Sequence, residues 1–434
     1  MTAIIRAVSV PVLLVVTGCA LAIGCTEDPN NLRPGNGGPT GDSDVSSSGG
    51  GGGGGGGDGG RAGDASTDAP PGTKSDGGDG GDPPTPCKPG LTSVPLALTP
   101  NPDGPVRATT TADGGTLVAW GDGGTIHVRN INAAGTTVSA DRTVAGTTVH
   151  GIAAMPDGVA LLVARAPDKL LLVKLGAAGN VVFEKLLSGN SDHAVVGSEW
   201  FSYDPTFFAE SGRLVWTGSK LIAYMPIFRR WPDNIAHTGD TLRNLDANGN
   251  PTGGTGWSWG CSHSLDVRLS ADGTVPICLS DCYPEKAIVL GRNSVVSEEP
   301  SGNCAGSSNT KLGGLTTVAG ASWLTFASSE GRSSRDVVLM KIGDPTKRYL
   351  TQGGDASSPH LAAFGNGMVA GWRIGNVATV QRLDTQGNTV GAPENVSATP
   401  FGEGDDFLSW PGGDAGWLSS SGNTWKLARL GACD

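Results

Sequence analysis

The sequence predicts an all-β protein built from one repeated sheet, and three observations carry that prediction. The first is composition: 70 glycines and only 16 % charged residues among 434 favour strands and tight turns over helices. The second is a recurring strand-length apolar run ending in an aromatic, as in Thr116-Leu-Val-Ala-Trp120, Arg213-Leu-Val-Trp216, Ser322-Trp-Leu-Thr-Phe326, Met368-Val-Ala-Gly-Trp372 and Asp414-Ala-Gly-Trp-Leu418. Val159 to Val163 and Val275 to Cys278 take the same place without the aromatic, so seven units start at 116, 159, 213, 275, 322, 368 and 414. Their steps of 43, 54, 62, 47, 46 and 46 residues match a four-stranded sheet plus connections wherever no insertion stretches them. The third is a turn signature, Asn-Ala-Ala-Gly135, Gly-Ala-Ala-Gly179, Asp-Ala-Asn-Gly249 and Asp-Thr-Gln-Gly387, which marks hairpins between third and fourth strands. Together they predict a seven-bladed β-propeller over residues 87–434.

The elements at the ends follow from the strand count. The last unit, from Asp405, has room for three strands, and Leu91 to Leu98 ahead of the first full unit supplies the fourth. Pairing the two ends in one blade closes the ring and removes exposed sheet edges. Cys87 and Cys433 flank those strands and are expected to form a disulfide across the closure.

Before the body, residues 1–25 carry one positive charge, Arg6, and an apolar run ending at Gly24-Cys25, the layout of a secretory signal. Either Cys19 or Cys25 could be the processed cysteine. Parity favours Cys25, because cleavage there leaves six cysteines for an oxidising compartment. The alternative is an uncleaved membrane anchor, since the run approaches spanning length. Residues 26–86 are Gly, Asp, Ser and Pro with almost no large apolar side chain, and nine glycines run from Gly49 to Gly57. Such a segment cannot offset its ordering entropy and is expected to be a disordered tether, with a reach of about 40 to 45 Å as a Gly-rich coil. A net charge of -11 without a basic run argues against nucleic acid as a partner.

These features resemble Gram-negative surface lipoproteins with a Gly-rich tether and an uncharacterised propeller body. The resemblance implies lipidation of Cys25, a membrane partner through that lipid, and a place in the cell envelope, on an outer membrane facing periplasm or exterior.

The richest stretch lies where the repeat period is most stretched. On a propeller frame the connections of blades three and four place Trp231, His237 and Asp240, then Trp257, Trp259 and His263, then Tyr283, on one face. Exposed aromatic rings there suit stacking on sugars or anchoring a protein, the alternative being a satellite core. Lys220 to Asp240 reads as a long insertion between second and third strands. Folding about the Ser270-Ala-Asp-Gly-Thr274 turn brings Cys261 opposite Cys282 or its neighbour, which leaves Cys278 for Cys304. Cys261, His263, Cys278 and Cys282 do not have a zinc spacing, and the exported setting favours disulfides. His237, Asp240, His263 and Asp266 offer a metal or acid–base set, against the plainer reading of loop hydrogen bonding. Asp246-Ala-Asn-Gly-Asn250 reads as a turn, because equivalent turns lack the oxygen ligands of a calcium loop. His127, His150 and His360 fall in strands and are expected to pack.

No nucleophile elbow, Walker loop, zinc-protease or dinucleotide motif occurs in the body, and neither metal nor cofactor is implied. The sequence therefore points to a lipid-anchored binding module for a glycan or protein. A metal-assisted hydrolase or lyase using His237, Asp240 and His263, and a passive surface protein, are the alternatives.

Overall fold

The computed structural model describes residues 90–98, 102–165, 169–189, 194–196, 199–201, 212–230, 236–254, 259–281, 286–291, 294–298 and 309–432. No helix occurs among them, and all strand pairing is antiparallel. Seven four-stranded sheets follow one another along the chain, with one further two-stranded hairpin, Ala194–Val196 with Glu199–Phe201. The seven-bladed propeller expected from the repeat is thus the observed architecture.

The inner strands of blades one to seven are Arg107–Thr110, Thr148–Met155, Arg213–Trp216, Ser264–Leu269, Lys311–Val318, Ser357–Phe364 and Leu408–Ser409. Each blade runs outward from there strand by strand. Blade seven is the exception that closes the ring: its outer strand is Leu91–Leu96, paired with Thr424–Leu430 from Leu91 opposite Leu430 to Leu96 opposite Trp425.

The recurring aromatic has a packing cause. Apolar side chains between the blades form seven buried clusters, one for each neighbouring pair. Trp120, Phe326, Trp372 and Trp417 sit on second strands, and each is buried against the preceding blade. For Trp120 the preceding blade is the seventh, where Leu96, Trp410 and Leu427 receive it. A fully buried large apolar side chain contributes roughly 1.5–3 kcal/mol, so one such ring per interface favours this register strongly. The turn glycines are equally specific: Gly135, Gly179, Gly249 and Gly387 have φ of 80, 85, 74 and 76°, left-handed values costly for other residues. In the third turn the Asp246 carboxylate accepts the Asn248 and Asn250 N–H groups, both at 2.8 Å. Asp384 does the same for Gln386 and Asn388.

Blade three departs from the expectation. Arg213–Trp216 is its inner strand, whereas Thr116–Asp122 and the other aromatic-ended runs are second strands. Lys220 to Asp240 is consequently no loop insertion. The Thr217–Lys220 turn, closed by Thr217 N–H to the Lys220 carbonyl at 3.0 Å, leads into Leu221–Arg230, which pairs over its whole length with Ala236–Leu245. The run at 213 has the same apolar-then-tryptophan pattern as a second strand because its Trp216 also packs between blades, here two and three.

Candidate functional site

Every inner strand begins at the end of the ring where the inter-blade connections arrive, so those connections and the channel mouth share one face. Two constructions stand on it.

The first joins blades three and four. Asp240, in the third strand of blade three, is fully buried, and its carboxylate accepts the Tyr224 hydroxyl proton and the backbone N–H groups of Trp259 (2.7 Å), Gly260 (3.0 Å) and Cys261 (3.2 Å). Burial pushes this carboxyl up to about 6, although each of those hydrogen bonds pulls the other way. The pull of Asp240 on residues 259–261 decides the disulfide. Strand pairing of blade four starts only at Ser264, so the register does not carry Cys261 onward to Cys282. Cys261 instead turns back over the face of Pro276–Ser280 that looks toward blade three. It is bonded to Cys278, with an S–S distance of 2.04 Å. This corrects the expected Cys261–Cys282 bond and with it the partner assigned to Cys278. Cys25, Cys87, Cys282, Cys304 and Cys433, as well as Trp231, Trp257 and Tyr283, lie outside the described residues.

The remaining candidates find separate partners. Trp259 is half-buried and packs against the apolar cluster of blades three and four. His263 Nδ1 lies 3.2 Å from the Asp281 carboxylate. Asp266 takes Arg268 Nη1 at 2.6 Å on both its oxygens. His237 pairs with Arg229 in the strand register. Among the described residues no three His, Cys, Asp or Glu side chains are gathered to hold a metal.

The second construction was not anticipated. Arg107, Arg213 and Arg268, from the inner strands of blades one, three and four, are buried and converge at the channel mouth. His150 and His360 come from the inner strands of blades two and six to the same level, so five of the seven blades contribute a basic residue. They surround the acidic connection between blades six and seven, Gly402-Glu-Gly-Asp-Asp406. The Asp406 carboxylate accepts Arg213 Nη2 at 3.1 Å and stands at ion-pair distance from Arg213 Nε (2.5 Å) and Arg268 Nε (3.3 Å). Arg107 Nη1 donates to the Gly404 carbonyl at 2.7 Å, and His360 Nε2 lies 2.8 Å from the Gly402 carbonyl. Lys311 of blade five pairs with Glu403 at 2.9 Å. One short connection is therefore held by five different blades.

The electrostatics follow from burial beside like charge. Arg107 is brought down to about 10 by burial and by Arg213 and Arg268, against the pull of Asp405 and Asp406. Asp406 is held at about 2: burial opposes its charge, and Arg213, Arg268 and Arg107 outweigh it. His150 falls to about 3 through burial and the neighbouring arginines, and His360 to about 4 through burial, against its bond to Gly402. Both imidazoles are neutral at neutral pH. His360 lies stacked on Phe407 with ring centres 4.6 Å apart. Next to the arginines the channel holds a cavity of about 230 Å³, walled in part by Thr109, Thr110 and Thr316. The signal missed in the sequence was a basic residue just ahead of the apolar one in Arg107-Ala, Arg213-Leu, Arg268-Leu and His360-Leu.

The sequence matches no family model, and no curated protein matches it. Among solved structures the chain is similar to a streptogramin B lyase at 12 % identity and a TM-score of 0.38, covering 79 % of this chain and 98 % of that one. It is similar also to a chain of a mitotic checkpoint complex at 13 % identity and a TM-score of 0.43, covering 86 % and 99 %. Likeness at this level carries no functional argument, and the fold rests on the strand pairing above.

Proposed function

We propose that this chain is a binding module, held at the cell envelope through a lipid on Cys25 and a Gly-rich tether, that presents the connection-bearing face of its propeller to a glycan or protein partner. The observation that carries the reading is the bracing of that face. The connection between blades three and four is pinned at residues 259–261 by the Asp240 carboxylate and by the Cys261–Cys278 bond. Loops fixed this way on rigid sheets are where propellers can hold recognition groups in place. On this reading Trp231, Trp257 and Tyr283 supply aromatic faces for the partner, while Trp259 holds their base. The envelope placement rests on the Arg6-to-Cys25 signal and its resemblance to lipoprotein signals; fatty-acid labelling should be abolished by Cys25→Ala, and labelling that survived it but was lost in Cys19→Ala would move the lipid to Cys19.

The test is a glycan array and an immobilised envelope-protein panel, probed with the chain carrying Cys25→Ala so that it is exported without lipid. Retention on one ligand should weaken by several-fold or more when Trp257→Ala and Tyr283→Ala are combined, as expected for lost aromatic anchors. Retention unchanged by that pair would place the partner elsewhere, and no retention on either surface would favour a passive structural role.

A further inference from the structure

The arginine cluster at the channel mouth is more than the fold needs. Beside the arginines the same cavity is lined by Gly314 and Leu315 of blade five and Leu408 of blade seven, so a charged residue is not required from every inner strand. Buried ion pairs are often replaceable by apolar packing at no loss of stability, because desolvation offsets their attraction. Here two guanidinium groups, from blades three and four, nonetheless pair with one carboxylate, and Arg107 of blade one holds the same connection at the Gly404 carbonyl. At that carboxylate Arg213 donates Nη2 to one oxygen at 3.1 Å and holds its Nε 2.5 Å from the other as an ion pair, so a charged planar group faces a carboxylate.

The anion of this pairing belongs to a connection and not to a sheet. The Asp406 side chain is 41 % exposed, on a connection carrying glycines at 402 and 404, whereas Arg213 and Arg268 are 8 % and 3 % exposed. The cations belong to the inner strands, and the anion, which itself lines the channel cavity, belongs to the connection between blades six and seven. Beside it the cavity of about 230 Å³ is walled by strand backbone and the hydroxyl-bearing Thr109, Thr110 and Thr316. That volume lies below the roughly 300 Å³ at which drug-sized pockets begin, which limits an occupant to a small molecule.

We propose that the channel mouth is a binding site for a small carboxylate bearing hydroxyl groups, a sugar acid in chemical class, and that Asp406 fills its carboxylate position as an internal stand-in which the ligand displaces. The incoming carboxylate takes over the pairing of Asp406 with Arg213 and Arg268, and its hydroxyl groups enter the threonine-lined cavity. Asp406 then turns to solvent. Because a tethered competitor acts at an effective concentration on the order of millimolar or higher, the wild-type chain binds such a ligand weakly. The site is distinct from the aromatic face of blades three and four and stands whether or not that face binds anything.

Isothermal titration of the full chain carrying Cys25→Ala, with glucuronate and with neutral glucose, tests this. Asp406→Asn keeps the side-chain shape but removes the competing charge, and it should tighten glucuronate binding at least ten-fold while glucose stays without effect. Adding Arg213→Gln to Asp406→Asn should abolish the gain. Asp406→Ser, which also removes the competing carboxylate, is the second variant should Asp406→Asn fold poorly. It should raise the thermal shift caused by glucuronate above that of the wild type. Equal binding of glucose and glucuronate overturns the proposal, as does the absence of any gain in whichever variant folds. The aromatic variants Trp257→Ala and Tyr283→Ala should leave glucuronate binding unchanged, which separates failure here from failure of the glycan or protein reading.

Discussion

Replacing Asp240 by alanine is expected to lower the unfolding free energy by about 3 to 5 kcal/mol, because it leaves several buried donors without an acceptor at once. The N–H groups of Trp259, Gly260 and Cys261 and the Tyr224 hydroxyl all end on this carboxylate. Each buried unsatisfied group costs about 1–3 kcal/mol, and water entering the gap reduces the sum. Asp240→Asn retains one oxygen and should cost less than half as much. The carboxyl is raised to about 6 while an unfolded Asp titrates at its ordinary value of 3.8. Between about pH 4 and 6 the native state therefore binds the proton more tightly, and the contribution of Asp240 falls as pH rises through that window. Urea denaturation of wild type and both variants at pH 7 gives the comparison. A loss below about 1 kcal/mol in Asp240→Ala would mean that the 259–261 connection is not held by this residue.

Acidification should expose the channel ring. His150 and His360 are held near 3 and 4 in the native state and return to 6.5 when unfolded. The unfolded chain thus binds protons first: the stability from these two neutral imidazoles is complete above pH 6.5 and is lost as pH falls. At about 1.4 kcal/mol per pH unit for each group, partly offset by Asp240 below pH 6, the net loss between pH 6.5 and 4 is about 4 kcal/mol. Asp406, held near 2, adds its own loss only below about pH 4. Combining His150→Gln with His360→Gln should flatten the profile between pH 6.5 and 4, measured by denaturation midpoints at a series of pH values. An unchanged slope in the double variant would show that other groups govern the acid response.

The ring and its closure were legible in the sequence because both depend on features that repeat. A second-strand aromatic packs against the preceding blade, and a glycine takes the left-handed turn position, wherever a blade is built. Blade three was misread at the one place where an inner strand, Arg213–Trp216, carries the same pattern for a different interface. The Cys261–Cys278 bond was illegible because the bend that makes it comes from Asp240, which lies outside the hairpin whose register suggested Cys282. The channel ring was hidden for a similar reason. Arg107, His150, Arg213, Arg268 and His360 are single residues more than forty positions apart, and only the closed ring brings them to one level. Asp240, proposed from its neighbourhood to His237 and His263, proved to sit in the interior between the blades.

Closure by the two ends of the body is the claim on which the ring, its seventh interface and its channel all depend, and hydrogen exchange read by mass spectrometry tests it most directly. Leu91–Leu96 pairs with Thr424–Leu430 over six residue pairs, and Leu96 and Leu98 are buried in the cluster that joins blade seven to blade one. Peptides covering 91–98 should therefore be protected in step with those covering 424–430, both exchanging only through opening of the ring. Rapid exchange across 91–98 while 424–430 stays protected would mean that the strand is a free tail and that the ring closes in some other way.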